Sequence, residues 1–448
     1  MLRTLRIAVV GAGWAGCAAA VELAERGHNV TLLEASRTLG GRARKVEQHG
    51  LVLDNGQHIL LGAYAESLRL MHKVGVDLDK SLLRLPLQMC YPTAEGMHFV
   101  APRLPAPLHL LVALLRATGL TREDKMSLAR FSTTARWMGW QMYQDCSVSE
   151  LLQRFDQTER LCRLMWAPLC IAALNTRPER ASAQVFLNVL RDSLGAKRAA
   201  SDMLLPRTDL TALFPQHAAD FVTQHGGQVN TGAAVRQLRK TGTSWTLEYG
   251  GTGMQDALAT QVYDRIIIAT GAETAAKLLS TLEGTDTSPA LPSFDYEPIT
   301  TCYLQYGPDL VLPRAFFALL DQPEQGHWGQ FVFDRGQLNT DQAGLLAVVV
   351  SASGNAIELE NDALAAAIAA QLAQALGLPS LATPLWHQVI SEKRATFSCT
   401  PGLARPANET TIPGLLLAGD YTAGDYPATL EAAVRSGVLA AGKAAQAA

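Results

Sequence analysis

The sequence lacks the features that would point to several broad classes of protein. It has no CxxC pair, and its seven cysteines are scattered and odd in number, which argues against structural zinc and indicates a reducing compartment. Its net charge is only −3, so the charge balance gives no reason to expect nucleic acid as a partner. Charged residues make up 18% of the chain and hydrophobic residues 48%, which is typical of an apolar-leaning globular enzyme rather than a disordered chain.

The chain also lacks long apolar runs and a leader sequence. Its longest apolar runs fall short of the roughly 18 residues that a membrane-spanning helix needs. Only residues 1–6 precede the first predicted strand, which leaves no room for a signal peptide. We therefore expect a cytoplasmic protein that is soluble or peripheral on the inner face of the membrane. No metal-ligand cluster and no hydrolase-like order of Ser, His and Asp is evident, so we predict no metal site.

What the N-terminal stretch does contain is a strand, a glycine-rich turn, a helix and a second strand. Residues 7–10 predict a buried strand, and residues 17–26 predict a helix of small and apolar residues. Between them, residues 11–16 read GAGWAG, which matches GxGxxG. Residues 29–33 predict the second strand, and Glu34 stands at its end. In this context the motif indicates adenine-dinucleotide binding, with a purely structural glycine turn as the alternative.

Each position of the motif has a physical role. Gly11 permits the tight turn, Gly13 lets a pyrophosphate approach the backbone, and Gly16 lets the helix pack closely on the strand. The N-terminus of the helix then faces the phosphates, and Glu34 accepts hydrogen bonds from ribose hydroxyls. The predicted cofactor-binding residues in this stretch are Gly11, Gly13, Trp14, Ala15, Gly16, Glu34 and Ala35.

A second pair of glycines favours FAD over a nicotinamide cofactor. Residues 39–44 read LGGRAR, and this composition suits a loop that lies against a pyrophosphate, with Gly41 and Arg42 as binding residues. A solvated basic hairpin is the alternative. The charge of Glu34 disfavours NADP, because the 2′-phosphate of that cofactor would meet a carboxylate.

The C-terminal end shows the same strand–turn–helix order. Residues 415–442 read LLLAGDYTAGDYPATLEAAVRSGVLAAG, in which an apolar run reaches Gly419 and Asp420 and then resumes as an Ala-rich helix. This order builds a ligand crevice in an open α/β sheet. Pro427 suits a helix that starts near residues 428–430. Two roles for Asp420, ligand binding and helix capping, are compatible with the pattern.

Taken together, these stretches resemble one known superfamily. VVGAGWAGCAAAVEL, LLEAS, LGGRAR and the C-terminal LLLAGDYTAGDYPATLEAAVRSG resemble the FAD-dependent amine oxidase and phytoene desaturase superfamily. Within it, DNGQHILLGAY at residues 54–64, WAPL at 166–169 and AALNT at 172–176 are most similar to the bacterial hydroxysqualene dehydroxylases of hopanoid biosynthesis. The resemblance implies an FAD-dependent oxidoreductase that removes the allylic hydroxyl of hydroxysqualene to give squalene, with FAD bound non-covalently.

The resemblance also implies where FAD lies. The last strand–turn–helix closes the site that begins at residue 7, and Asp420 reaches the pyrophosphate–ribityl region. The last helix points its N-terminus at the flavin pyrimidine edge, where reduced flavin carries a negative charge that a helix N-terminus stabilises. Residues 53–64 pass beside the flavin ring, and the backbone of Val235 contacts adenine. The further cofactor-binding residues implied in this way are Gly56, Gln57, His58, Val235, Gly419, Asp420, Ala428, Thr429 and Leu430.

Removal of a hydroxyl group needs an acid, because hydroxide is a poor leaving group. The candidates are Asp54 and His58 in the flavin-side segment, Tyr64 just after it, and Asp425 before the last helix. The alternatives for the first two are structural: Asp54 holds its own turn, and His58 bonds to backbone.

The expected fold is α/β, with a discontinuous Rossmann-like FAD-binding domain and an inserted α+β substrate domain, as in the amine oxidases. We assign residues 1–82, 211–290 and 391–448 to the FAD-binding domain. We assign residues 83–210 and 291–390 to the substrate domain, in which a sheet covered by helices would form an apolar cavity against the flavin.

The apolar segment 104–116 has two interpretations. It is either a buried helix or an interfacial helix whose end arginines lie at lipid headgroups, and on the second interpretation Leu110, Leu111 and Leu114 enter the membrane. The expected partners are a long-chain isoprenoid substrate and a membrane surface. A separate reductase is expected to supply electrons, because no second dinucleotide site is evident.

Two other function classes fit parts of the pattern. An oxidative polyene desaturase, or an amine or protoporphyrinogen oxidase, would carry the same flavin motifs on the same fold. A non-enzymatic prenyl carrier of the GDP-dissociation-inhibitor type is the third hypothesis, and the intact GxGxxG, GGRAR and AGD motifs argue against it.

Overall fold

A five-stranded parallel sheet takes its strands from three separate stretches of the chain. The computed structural model describes residues 4–93, 95–251, 259–284 and 289–446. The first strand of the chain lies at the centre of this sheet, where its apolar residues are fully buried, as expected for a parallel sheet covered on both faces. In spatial order the strands are Gln228–Thr231, Asn29–Glu34, Arg6–Val10, Arg265–Ile268 and Leu415–Leu417.

The first and last helices of the chain, Trp14–Glu25 and Leu430–Ala444, pack against each other. Their approach is close because small residues line the contact: a Cβ on Gly437 would lie 2.1 Å from the carbonyl oxygen of Ala15. This contact joins the two ends of the chain, as the two strand–turn–helix patterns require.

A second five-stranded sheet is antiparallel throughout. Helix Asn361–Leu376 packs against its strands. One of these strands crosses the domain boundary that we placed between residues 390 and 391, and the exact domain limits remain a prediction. In spatial order the strands are Phe316–Ala318, Phe331–Asp334, Leu345–Ser351, Tyr296–Gln305 and Trp386–Phe397.

Smaller sheets and further helices complete the described part of the chain. The three-stranded sheets are Ala234–Thr241, Ser244–Gly250 and Ala259–Tyr263, and Leu60–Leu61, Met203–Pro206 and Leu82–Leu85. The two-stranded sheets are Lys45–Gln48 with Leu51–Asp54, and Gln88–Cys90 with His98–Val100. The other helices are Ala65–Lys73, Leu78–Ser81, Leu108–Arg116, Arg122–Trp137, Val148–Arg154, Glu159–Leu161, the π-helix Cys162–Trp166, Ala167–Leu174, Ala183–Ser193, Leu210–Leu213, Pro215–Gln224 and Ala272–Ser280. Short 3₁₀ turns are Arg198–Ser201, Pro323–Gln325, Arg335–Gln337, Thr340–Gln342, Ala356–Glu358 and Pro379–Ala382.

The predicted fold class is confirmed, and one predicted boundary is wrong. The first helix begins at Trp14 rather than at residue 17, because the helical hydrogen bonds start within the glycine motif itself, where Cys17 N–H donates to the Gly13 carbonyl at 2.9 Å.

The apolar segment 104–116 is neither wholly buried nor wholly exposed. Only Leu108–Arg116 is helical, and its two sides differ. His109, Ala113 and Leu114 are buried, whereas three leucines are half-exposed or more: Leu108, Leu111 and Leu115 at 50%, 51% and 66%. Within the described ranges, no helix is both long enough and apolar enough to span a membrane.

Candidate functional site

The glycine-rich turn closes tightly at two of its three glycines. A Cβ on Gly16 would lie 1.8 Å from the Gly11 carbonyl oxygen, and a Cβ on Gly11 would lie 2.9 Å from the carbonyl oxygen of Ala269. Gly11 also has a φ of +102°, a conformation that side chains disfavour. These two glycines are therefore required by the packing of the turn itself.

Gly13 is required for a different reason. A Cβ at this position would meet only the Cα of Gly41, at 3.9 Å, so the space next to it is open. The helix that starts at Trp14 has no side-chain cap and no acidic residue in its first turn. Its first N–H groups are thus free to bind an anion beside Gly13, which is the arrangement that a pyrophosphate needs.

The second glycine pair packs directly against this turn. Gly40 N–H donates to the Ala12 carbonyl at 2.9 Å, and Gly13 and Gly40 form an isolated β-bridge. Gly41 has a φ of +62°, and a Cβ on it would lie 3.2 Å from the Gly13 Cα. Residues 39–44 therefore pack against the glycine-rich turn, and the alternative of a solvated hairpin is wrong.

Arg42 links the two ends of the chain across the site. Its Nη2 donates to Asp420 Oδ1 at 2.6 Å, and its Nη1 donates to the Ala395 carbonyl at 2.6 Å. Asp420 is only 8% exposed. It does not cap the last helix, because the N-cap is Thr429, whose side chain accepts from Ala432 N–H at 3.2 Å. The capping interpretation of Asp420 is thus wrong.

The Glu34 carboxylate accepts two backbone hydrogen bonds next to the glycine-rich turn. Its Oε2 accepts from Ala12 N–H at 2.7 Å, and its Oε1 accepts from Ser36 N–H at 2.8 Å. Its backbone carbonyl accepts from Ala233 N–H at 2.8 Å, which brings Val235, two residues later, close to Glu34. The roles of Glu34 and Val235 in cofactor binding stay predictions, and sequence reasoning missed that the Glu34 carboxylate holds the glycine-rich turn.

The last helix is held in place by a buried carboxylate that sequence reasoning missed. Glu431, in the first turn of Leu430–Ala444, is 0% exposed. It accepts from the backbone N–H groups of Glu66 and Ser67 at 3.1 and 2.9 Å, at the start of helix Ala65–Lys73. One carboxylate therefore lies between two helix N-termini, both of which favour negative charge.

Asp54 lies deep in the flavin-side segment. It is 3% exposed, its Oδ1 accepts from Leu210 N–H at 2.8 Å, and its backbone carbonyl accepts from the Tyr303 hydroxyl at 2.9 Å. Burial raises the pKa of Asp54 to about 7, against the opposing effects of Arg335 and the Leu210 hydrogen bond. Its side chain holds the start of helix Leu210–Leu213 rather than its own turn, and a pKa of about 7 allows it to exchange a proton near neutral pH.

His58 and Gln57 are held by different partners. His58 is partly buried, and its Nδ1–H donates to the Gly56 carbonyl at 2.7 Å. Burial lowers the pKa of His58, so its imidazole is neutral at pH 7. Gln57 N–H donates to the Thr301 hydroxyl at 3.2 Å. The backbone-bonding alternative for His58 therefore describes its contacts.

The other two acid candidates lie elsewhere. Tyr64 is 9% exposed, and burial, together with the nearby charge of Glu431, raises the pKa of its hydroxyl. Asp425 has a side chain that is 71% exposed and lies 3.9 Å from Arg191. Of the four candidates, Asp54 is the one that combines burial with a pKa near neutrality.

FAD fits the residues that form this site. The open space beside Gly13 and the uncapped helix suit its phosphates. The hydroxyl of Tyr421, next to Asp420, is buried and has no hydrogen-bond partner in the described protein, so a bound group can satisfy it. Among the residues the structure describes, no group of three or more His, Cys, Asp or Glu is arranged to hold a metal ion.

Comparison with known proteins agrees with FAD as the cofactor. Residues 14–445 match the family described as flavin containing amine oxidoreductase. The chain is 29% identical to a hydroxysqualene dehydroxylase from Rhodopseudomonas palustris, over 97% of this chain and 99% of the relative. It is 26% identical to a hydroxysqualene dehydroxylase from Zymomonas mobilis, over 97% of each chain, and 26% identical to a 15-cis-phytoene desaturase from Glycine max, over 98% and 79%.

Solved structures show the same fold at lower sequence identity. A putrescine oxidase aligns with a TM-score of 0.66 at 17% identity, covering 98% of this chain and 99% of the other. A cyclohexylamine oxidase from Brevibacterium oxydans aligns with a TM-score of 0.64 at 17% identity, covering 99% of both. With the family match over nearly the whole chain, and with a site that fits FAD, this protein belongs to the flavin-containing amine oxidoreductases and is an FAD-dependent oxidoreductase.

Proposed function

We propose that this enzyme removes the allylic hydroxyl of hydroxysqualene reductively to give squalene, a step of hopanoid and triterpene biosynthesis. The observation that carries the proposal is Asp54, a buried carboxyl with a pKa of about 7 in the flavin-side segment. Near-full-length similarity to three hydroxysqualene dehydroxylases, at 26–29% identity, supports the substrate. The test is product analysis after anaerobic incubation of the reduced protein with hydroxysqualene.

Asp54 has a defined part in this reaction. When bound, reduced FAD supplies the hydride that replaces the hydroxyl. Asp54, protonated below about pH 7, donates its proton to the oxygen as the carbon–oxygen bond breaks, so that water leaves. The enzyme then regains the proton from solvent, and a separate reductase restores the electrons.

An apolar, aromatic interior suits the charge that develops on the allylic carbon. On the antiparallel sheet, the Phe316 ring lies 5.5 Å from Phe331 and 5.1 Å from Phe333, and all three are buried. They belong to the same hydrophobic core as Leu53, the neighbour of Asp54. Such a core excludes water, and the faces of aromatic rings attract a cation-like carbon.

An oxidative desaturase is the second candidate. It is favoured by the similarity to 15-cis-phytoene desaturase and to zeta-carotene desaturase, at 24–26% identity over 98% of this chain. An amine or protoporphyrinogen oxidase has the same fold and remains a weaker alternative. The non-enzymatic carrier hypothesis is set aside, because the chain belongs to a family of oxidoreductases.

A membrane surface is the partner that we propose for the helix pair Leu108–Arg116 and Arg122–Trp137. The two helices are neighbours, because Lys125 Nζ donates to the Leu115 carbonyl at 2.9 Å. On this stretch of chain, exposed apolar side chains are common. They are Leu104, Leu108, Leu111, Leu115, Met126 and Trp137, the last of them 86% exposed.

Charge on the helix pair fits a membrane with anionic headgroups. Between residues 103 and 137 the only exposed acidic residue is Glu123. The exposed basic residues are Arg103, Arg116, Arg122, Arg130 and Arg136. Apolar side chains next to basic ones are typical of interfacial helices, and this arrangement would place the enzyme where a long-chain isoprenoid is dissolved.

Replacing Leu108, Leu111 and Leu115 with Ser is expected to release the protein from liposomes that contain anionic lipid. Each fully buried leucine contributes roughly 1.5–3 kcal/mol, so three of them decide partitioning. Co-sedimentation measures the loss, and the flavin spectrum should stay unchanged. The sequence-based choice that included Leu114 was wrong, because this side chain is 9% exposed and belongs to the core.

The matched control replaces exposed leucines outside the helix pair. Leu359, Leu378 and Leu385 are 37%, 39% and 74% exposed, and their replacement with Ser should leave sedimentation with liposomes unchanged. Equal loss of binding in both triple variants would show that the helix pair has no special role.

Glu34→Ala is expected to weaken FAD binding by roughly 1–3 kcal/mol, the usual effect of losing a charge-assisted hydrogen bond. The carboxylate also holds Ala12 N–H, so both the ribose contact and the turn are affected. Titration of the apoprotein with FAD, followed by flavin fluorescence, measures the change. Glu47→Ala, at an exposed carboxylate outside the site, is the control. Wild-type affinity in the Glu34 variant would exclude the ribose contact.

A further inference from the structure

Arg335 is a buried cation without an acidic partner. It begins the 3₁₀ turn Arg335–Gln337, directly after strand Phe331–Asp334, and it is 3% exposed. Its Nε donates to Gln342 Oε1 at 2.8 Å, and its Nη1 donates to Gln57 Oε1 at 2.9 Å. Among the residues that the structure describes, no carboxylate lies within ion-pair distance of this guanidinium.

A buried guanidinium without a counter-charge lowers the stability of the folded protein. Burying a charge without a counter-charge is strongly unfavourable, and two neutral amide oxygens compensate it only in part. The contrast within the same protein is Arg42, which has Asp420 at 2.6 Å. We therefore expect a function for the hydrogen bonds of the Arg335 guanidinium, for the electric field of its positive charge, or for both.

The hydrogen bonds of Arg335 lead to the flavin-side segment at both ends. One partner, Gln57, belongs to this segment. The other, Gln342, donates from its Nε2 to the Val52 carbonyl at 2.6 Å. Between these two points, the Tyr303 hydroxyl holds the Asp54 carbonyl at 2.9 Å. Gln57 N–H also donates to the Thr301 hydroxyl at 3.2 Å. Residues 52–57 are thus tied at four places to strand Tyr296–Gln305 and to the turns that follow strand Phe331–Asp334, and two of these ties meet at Arg335.

We propose that Arg335 is a positioning residue that fixes residues 52–57 through Gln57 and Gln342 and places an unpaired positive charge beside Asp54. This inference rests on the proposed role of Asp54 as the acid and deepens it. The site needs a carboxyl group that both gives and regains a proton, and the charge of Arg335 keeps the carboxylate form accessible in a buried place.

The charges that face Asp54 agree with this role. Burial raises the pKa of Asp54 to about 7, and Asp209 acts in the same direction. Arg335 and the Leu210 N–H lower it, and the Tyr303 hydroxyl lies at the backbone of the same residue. Removing the positive charge therefore leaves burial less opposed, and Asp54 will hold its proton to higher pH.

The test is an infrared pH titration of the substrate-free holoenzyme. The band of the protonated Asp54 carboxyl is identified by its loss in Asp54→Asn. In Arg335→Gln its apparent pKa should rise by one unit or more. The control is Arg314→Gln, since Arg314 lies on the same part of the chain and also donates to a glutamine, Gln88, at 3.2 Å; the titration should stay as in the wild type.

Arg335→Lys separates the charge from the hydrogen bonds. Lysine keeps the positive charge but cannot bridge both amide side chains. The titration of Asp54 should therefore stay near the wild type, while amide hydrogen exchange of residues 52–57 becomes at least tenfold faster.

Two results would overturn the proposal: an unchanged Asp54 titration in Arg335→Gln, or wild-type exchange of residues 52–57 in Arg335→Lys. If the Gln variant does not fold, the exchange result for the Lys variant decides. None of these measurements uses hydroxysqualene, so failure of the proposed reaction is seen separately, in the absence of squalene from the product assay.

Discussion

Gly13→Val is expected to abolish FAD binding while the protein remains folded. The Cβ at this position meets no protein atom closer than 3.9 Å, so valine fits the fold. The same side chain would fill the open space in front of the uncapped helix, where the pyrophosphate belongs. The purified variant should be colourless, and titration with FAD should give at least a hundredfold weaker binding, with the circular dichroism of the wild-type apoprotein.

The matched control for this variant is Gly354→Val. Gly354 is exposed, a Cβ on it would meet no atom within 4 Å, and its φ is not positive. This control should bind FAD as the wild type does. Substitution at Gly11 or Gly16 would be less informative, because a Cβ there meets backbone atoms and disturbs the turn itself. FAD binding by Gly13→Val at wild-type strength would contradict the assigned phosphate position.

Asp54→Asn is expected to slow reoxidation of the reduced flavin by hydroxysqualene by about 10²-fold or more, the scale of general acid catalysis. Asparagine keeps the shape and removes the proton. Photoreduction of the flavin should proceed as in the wild type, which separates loss of the acid from loss of the cofactor. Anaerobic stopped-flow absorbance measures both rates.

The pKa of Asp54 also predicts how the rate of flavin reoxidation changes with pH. Burial raises the pKa of Asp54 to about 7, so the protonated acid is present below that pH and is lost above it. The wild-type rate of reoxidation should fall as the pH rises through about 7, and the Asp54→Asn rate should not. Asp425→Asn is the control, because its side chain is 71% exposed and should not affect the rate. Unchanged reoxidation in Asp54→Asn would exclude Asp54 as the acid and direct attention to Tyr64.

The backbone features that sequence predicts well are local in the chain. The three glycines of residues 11–16 and the pair at 40–41 follow from backbone geometry within a few residues. The start of the last helix, predicted near residues 428–430, is observed at Leu430 with Thr429 as its cap. Local steric rules act over such short distances, so one sequence is enough to apply them.

The parts that sequence does not predict are pairs that are distant in the chain. Arg42 and Asp420 are 378 residues apart, and Gln57 and Arg335 are 278 residues apart. No local pattern couples such residues, and only the tertiary fold brings them together. The same reason explains why Asp425 was grouped with Asp54, although the structure places it at the surface.

The exposed leucines of helix Leu108–Arg116 repeat with helical spacing. The prediction of Leu110, Leu111 and Leu114 as membrane-facing residues did not follow this spacing. Leu108, Leu111 and Leu115 stand at the i, i+3 and i+7 positions of one helical face, which is the face that the structure leaves exposed. His109 and Ala113, four residues apart, lie on the buried face. Leu111 and Leu114 are also three residues apart, so helical spacing alone does not separate them; the structure does, because it buries Leu114 and exposes Leu111.

The measurement that tests the proposed function most directly is product analysis after anaerobic incubation of the reduced protein with hydroxysqualene. We expect squalene, with one molecule formed for each flavin reoxidised, and no conversion by the oxidised protein. The contradicting result is the absence of squalene from the reduced protein together with a new double bond introduced into a polyene by the oxidised protein, which would identify the enzyme as a desaturase.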